Sequence, residues 1–95
     1  MRIGKFRVSR DLVENHHDEI VEMFCQLKIV VVRAEMMYAG DYIEYMGISP
    51  KFKDNDLMYI PPEYTIVSHR VTDPNSYVEP YVVHSVEELT DENRI

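Results

Sequence analysis

The chain changes its hydrophobic period abruptly at Lys28. Before that point Val13, His17, Ile20, Phe24 and Leu27 recur every three or four residues, the spacing that places side chains on one stripe of a helix. Directly after it stand Ile29-Val30-Val31-Val32, whose branched side chains are stiff at χ1 and suit a pleated strand. A helix must therefore hand over to a strand with almost no linker. That strand is apolar on both of its alternating sides, with Val30, Val32, Ala34, Met36 and Tyr38 on one and Ile29, Val31, Arg33, Glu35 and Met37 on the other. One helix covers one side of a sheet, so the pattern predicts a self-associating surface and a homo-oligomer.

The remaining segments are shorter. Lys5-Phe6-Arg7-Val8 alternates like a half-exposed strand and is read as a first, edge strand. Ser9 followed by Asp11 reads as a helix N-cap with an early acid, and Asn15 offers a second cap, so a break near His16 is expected. Ala39-Gly40-Asp41 signals a hairpin turn with Gly40 supplying a positive φ, and Tyr42 to Ile48 returns as the partner strand. Residues 51–62, with Asp54-Asn55-Asp56 and Pro61-Pro62, read as a loop. Two further strands, Tyr64 to Val71 and Tyr77 to Val83, flank the turn signal Asp73-Pro74-Asn75, and Pro80 marks the last strand as an edge. Ser85 and Glu88 form a capping-box pattern, predicting a brief helix in an acidic tail over residues 86–95 whose end frays. The order β-α-β-β-β-β predicts a single α+β domain over residues 1–95: an antiparallel sheet of four to five strands with one main helix across one face.

Composition narrows the function. Ninety-five residues hold one modest core, since a chain of this size buries roughly 60–65% of its unfolded surface, and leave little protein to enclose a deep cavity. A net charge of −7 argues against duplex DNA as a partner, because that affinity comes from neutralising phosphates. The same charge suggests mimicry of nucleic acid, but there is no long run of acids to imitate a phosphate backbone. A single cysteine, Cys25, makes no internal disulfide, which points to a reducing cytoplasm, and its place beside Phe24 reads as a small buried hydrophobe. No leader-like stretch opens the chain, and Ile29 to Val32 is too short to cross a bilayer, so neither export by that route nor membrane insertion is expected.

Glu35-Met36-Met37-Tyr38, Asp41-Tyr42-Ile43-Glu44-Tyr45, Ile48-Ser49-Pro50-Lys51-Phe52 and Pro62-Glu63-Tyr64 together resemble small accessory proteins encoded by tailed bacteriophages. The resemblance covers roughly residues 30–66. It implies an accessory product in the cytoplasm of a bacterial host, where such proteins bind and disable defences. It implies no activity and no site residues.

Seven tyrosines and no tryptophan are the most distinctive feature of the composition. Tyrosine offers a flat apolar face with a polar tip, suited to core packing, to a protein interface or to stacking on a base. Tyr38, Tyr42 and Tyr45 gather near one hairpin end, and with Glu35 and the forked donors of Arg33 and Arg70 they form the candidate ligand-binding set. Glu35 and Glu44 face each other if the hairpin loop has two residues. A three-residue loop puts Glu35 opposite Tyr45 and avoids the repulsion, and is the expected register. The leading reading is a non-enzymatic binding protein that sequesters a nucleotide signal or a host protein stoichiometrically. The alternative is a small hydrolase or metal-dependent enzyme using Glu35, Glu44 and a strand histidine, His69 or His84. The histidine spacing and the failed calcium pattern at Asp54 argue against a metal, no phosphate loop is present, and no cofactor is expected.

Overall fold

The computed structural model describes residues 1–55, 60–72, 74–75 and 79–89. The chain runs β1 (Ile3–Ser9), α1 (Arg10–Asn15), α2 (His17–Leu27), β2 (Val30–Met37), β3 (Tyr42–Ile48), β4 (Glu63–Val71) and β5 (Tyr81–Glu88). It is an α+β domain whose two helices lie against one face of a mixed five-stranded sheet, ordered β2-β3-β1-β4-β5.

Local chemistry sets the helix limits. The Ser9 hydroxyl accepts from Leu12 N at 3.2 Å and caps α1. His16, at φ −131° and ψ 46°, breaks the run while its N–H still bonds Leu12 O, and α2 restarts with Asp18 and Glu19 in its first turn. Lys28 adopts the left-handed conformation at φ 53° and closes α2, giving the immediate passage to a strand that the change of period requires. Ile20, Met23 and Leu27 point from α2 into the core, where they meet Phe6 and Val8 of β1, Tyr45 of β3 and Tyr64 of β4. Cys25 lies on the other side of α2 and is exposed, not buried as its neighbour Phe24 suggested.

β1 is the central strand, which corrects its expected place at an edge. It pairs antiparallel with β3 from Ile3↔Ile48 to Ser9↔Tyr42, and parallel with β4 at Lys5↔Glu63 and Phe6↔Tyr64. The sheet is therefore mixed and not purely antiparallel. The cause lies in the loop after β3, which wraps the start of β1: Ser49 N donates to Arg2 O, the Arg2 guanidinium to Phe52 O, and Asn55 N to Met1 O. The chain thus crosses β1 before β4 begins. Alternation in Lys5-Phe6-Arg7-Val8 reveals two unlike faces but not the number of neighbouring strands.

The C-terminal end departs from expectation in the same way. Ser85 to Glu88 belong to β5 and pair with Val67 back to Tyr64, so the expected helix there is strand; a full-length ladder with β4 outweighs a weak capping pattern. β5 is an edge strand as Pro80 indicated, but it begins at Tyr81. Asp73 of the turn signal, the expected strand start at Tyr77 and the tail from residue 90 lie outside the described residues. The β2–β3 turn spans residues 38–41, and its positive φ belongs to Asp41 (53°) and not to Gly40.

The two sheet edges differ. At β5 the Gln26 side chain acts as a substitute strand, its amide donating to Val82 O at 2.7 Å and accepting from His84 N at 3.0 Å. At β2 Val30, Val31 and Val32 are 64%, 40% and 55% exposed, with a bulge between Val31 and Arg33. Because α2 packs toward β5, the strand whose apolar pattern most constrained the fold is left at the open edge.

Candidate binding face

The face of the sheet turned away from the helices carries the charged side chains of the alternating strands. Phe6 of β1 contacts Phe24 of α2 edge to face at 5.7 Å, so Phe6 marks the helix side and Lys5 and Arg7 the open side. Strand register then assembles two rows across the open face. One runs Arg33, Met46, Lys5, Glu63; the other runs Glu35, Glu44, Arg7. Glu35 stands directly opposite Glu44, which corrects the expected pairing of Glu35 with Tyr45: opening the turn to residues 38–41 leaves Met37 paired with Tyr42 and keeps the register in which the two carboxylates meet. Their repulsion is relieved by arginines on either side, with Arg33 Nη2 3.4 Å from Glu35 and Arg7 Nε 3.8 Å from Glu44. Lys5 Nζ lies 4.0 Å from Glu63. Surface pairs at these long separations, two with an exposed arginine and one half-buried, contribute about 0–1 kcal/mol each and weaken with salt, so they arrange the face more than they stabilise the fold.

The Arg7 guanidinium also lies over the Tyr42 ring, 4.6 Å from its centre. Lys5, Arg7, Met46 and Glu63 belong to this face although sequence reasoning did not select them; the alternation in β1 placed Lys5 and Arg7 on one side, but only the ladder with β3 sets Lys5 beside Met46 and aims Arg7 at Glu44 and Tyr42. Of the six residues chosen from sequence, Arg33, Glu35 and Tyr42 share this face. Tyr38 is 85% exposed in the hairpin turn. Arg70 sits on the helix side near the far end of β4, opposite Val82. Tyr45 is in the core, stacked on Phe6 at 5.4 Å and edge-on to Phe24 at 5.3 Å. The tyrosines and arginines therefore do not converge on one pocket among the described residues.

Burial pushes the Tyr45 phenol above its ordinary pKa of 10.0. The unfolded chain then ionises first, so the stability Tyr45 lends is complete below about pH 10 and declines as pH rises toward the folded-state value. Replacing Tyr45 by Phe is expected to flatten this part of the alkaline fall in unfolding free energy, measured by urea titration at successive pH values. An unchanged alkaline slope would place the phenol in contact with water.

The hollows on the open face are shallow. One, of about 180 Å³, is lined by Lys5, Arg33, Glu35, Glu44 and Met46; a neighbour of about 140 Å³ lies between β1 and β4 around Arg7 and Thr65. A larger cleft of about 420 Å³ opens on the helix side between α2 and the β4–β5 pair, with Glu19 and Glu22 at its wall beside Met23, Ser68 and His84. There Ser68 Oγ lies 2.7 Å from His84 Nδ1, as expected for two residues directly opposite in the ladder. His84 is thus separated by the sheet from Glu35 and Glu44. His69 shares their face but lies on β4 four residues beyond Thr65, roughly 13 Å further along the strand. Among the described residues no three histidine, cysteine or acidic side chains gather closely enough to hold a metal ion, and no helix is long and apolar enough to cross a membrane. No protein-family model, curated protein or solved structure matches this chain.

Proposed function

We propose that this chain is a non-enzymatic accessory protein of the phage type, which acts as a small homo-oligomer in the bacterial cytoplasm by binding a host protein stoichiometrically through the open face of its sheet. The observation that carries the reading is the face itself: a broad surface on which Lys5, Arg7 and Arg33 are interleaved with Glu35, Glu44 and Glu63 beside the half-buried Tyr42 and Met46. Aromatic, methionine and arginine side chains are the ones enriched at protein interfaces, and charges paired around them fix register and exclude wrong partners. In a chain of net charge −7 this face also gathers three of the ten lysines and arginines, so a protein can dock there without meeting a uniformly acidic surface.

A nucleotide signal fits less well. Small-ligand sites are concave and typically enclose about 300–1,000 Å³, more than either hollow on the open face offers. The two hollows of that size among the described residues are walled by acids, Glu19 and Glu22 in one and Glu14, Asp18 and Glu19 in the other, which repel phosphate. The test is to incubate the purified protein with bacterial host lysate and weigh the products by native mass spectrometry. A complex of fixed stoichiometry is expected, absent when a folded Arg7→Glu variant is used. Retention of a phosphate-containing small molecule, lost in Arg33→Ala, would overturn the reading in favour of a nucleotide.

A further inference from the structure

We infer that two copies of this chain join edge to edge through β2, antiparallel about a two-fold axis at Ala34, to form one continuous ten-stranded sheet. The inference rests on the oligomeric part of the proposed function and supplies its geometry.

The two edges are not equally open. Gln26 occupies two outward backbone groups of β5, Val82 O and His84 N, whereas β2 exposes six consecutive residues, Val30 to Glu35. Natural edges are protected by like charges, proline, bulges or a covering element; β2 has no lysine, no proline and no helix over it, and its two charges, Arg33 and Glu35, are of opposite sign and so do not repel every second copy. Its one irregularity, the bulge at Val32, leaves Arg33 to Met37 in regular register with β3 and thus straight enough to template another strand.

Charge then selects both the occupant and the register. A two-fold axis perpendicular to the sheet keeps each helix layer on the same side and requires paired positions to be an even number of residues apart. A pairing centred on Arg33 sets arginine against arginine, and one centred on Glu35 sets carboxylate against carboxylate. Centring on Ala34 places Arg33 opposite the partner's Glu35 and Glu35 opposite the partner's Arg33, two complementary pairs on the open face. It also brings a second cation to Glu35, the carboxylate held opposite Glu44. On the helix side Val32 meets the partner's Met36, covering apolar surface that α2 does not reach. β2 is thus complementary to itself in one register and repulsive in the neighbouring ones. The dimer doubles the open face without covering it.

The test uses two single variants and their mixture. Arg33→Glu gives a strand edge carrying two acids, and Glu35→Arg gives one carrying two arginines; the latter also places a cation opposite Glu44, so the monomer keeps its fold. Sedimentation velocity of the wild type is expected to show a dimer that dissociates on dilution. Each variant alone is expected to dimerise about tenfold or more weakly, and an equimolar mixture to recover wild-type affinity, because both cross-strand pairs are then complementary. A wild-type chain that stays monomeric overturns the inference together with the oligomeric reading. A wild-type dimer indifferent to both substitutions, or two weakened variants that fail to recover on mixing, overturns the β2 register and leaves oligomerisation through another surface.

Discussion

Truncating Phe52 to alanine is expected to lower the unfolding free energy by about 3–5 kcal/mol, the range for removing a fully buried aromatic ring. Phe52 has no exposed surface, although it sits in a bend of the loop after β3 and in no regular element. Its ring stacks on Tyr64 at 4.6 Å and reaches Phe6 at 6.3 Å, closing the end of the core where β1 begins. Its carbonyl accepts from the Arg2 guanidinium at 2.7 Å, and its N–H donates to Ser49 O. Ser49 is itself 1% exposed and donates to Leu27 O, so the end of α2 is tied to the same plug. A cavity left there is walled by Phe6 and Tyr64, which the β1–β4 pairing holds in place, so it collapses only in part. A domain of this size has roughly 5–15 kcal/mol in total, so the loss takes about a fifth or more of it. A urea titration giving less than 1 kcal/mol would show that Phe52 leaves the core in solution.

That a loop residue should be the best buried side chain among the described residues is what sequence reading missed, and the reason is general. Periodicity reports which residues share a face of one element, so the stripe Ile20, Phe24, Leu27 and the strand from Tyr42 to Ile48 were legible, the latter to the residue. Periodicity is silent about residues outside elements and about which strand lies beside which. The crossing of β1 depends on Arg2, Ser49 and Phe52, three residues from two distant segments, and no local pattern announces it. The same limit governs the candidate face. Arg33, Glu35 and Tyr42 were legible because the hairpin is local. Arg7 joins them only through the β1–β3 ladder, and Tyr45 leaves them because Phe6, thirty-nine positions earlier, stacks on its ring. The repulsion of Glu35 and Glu44 was foreseen as a reason to reject their register, yet two exposed arginines were enough to retain it. A penalty of a few tenths of a kcal/mol between surface charges cannot outweigh a ladder of backbone hydrogen bonds.

Replacing Gly4 by valine is expected to cost about 3 kcal/mol and to loosen the end of the sheet near Phe52, at the severe end for inserting carbon atoms into a packed core. Gly4 and Gly47 are directly opposite in the β1–β3 ladder, and together they leave a notch on the helix side of the sheet. The Tyr64 ring fills it beside Gly4, and Ile29 approaches Gly47. A Cβ on Gly4 would stand 2.6 and 2.7 Å from two carbons of the Tyr64 ring, closer than such atoms approach. The ring has no room to yield. One side is stacked on Phe52, and its hydroxyl accepts from Lys53 N at 2.9 Å, so a shift of Tyr64 breaks a hydrogen bond and opens the plug together. At Gly47 the nearest atoms are 3.0 and 3.1 Å away, a contact relieved by a few tenths of an ångström, so Gly47→Ala is expected to cost distinctly less than Gly4→Ala. Thermal melts of the three variants should therefore rank Gly47→Ala above Gly4→Ala and Gly4→Val lowest. Equal melting temperatures for Gly4→Val and the wild type would mean that Tyr64 does not occupy the notch. The placement of β4 beside β1, and with it Glu63 beside Lys5 on the open face, would then lose its anchor.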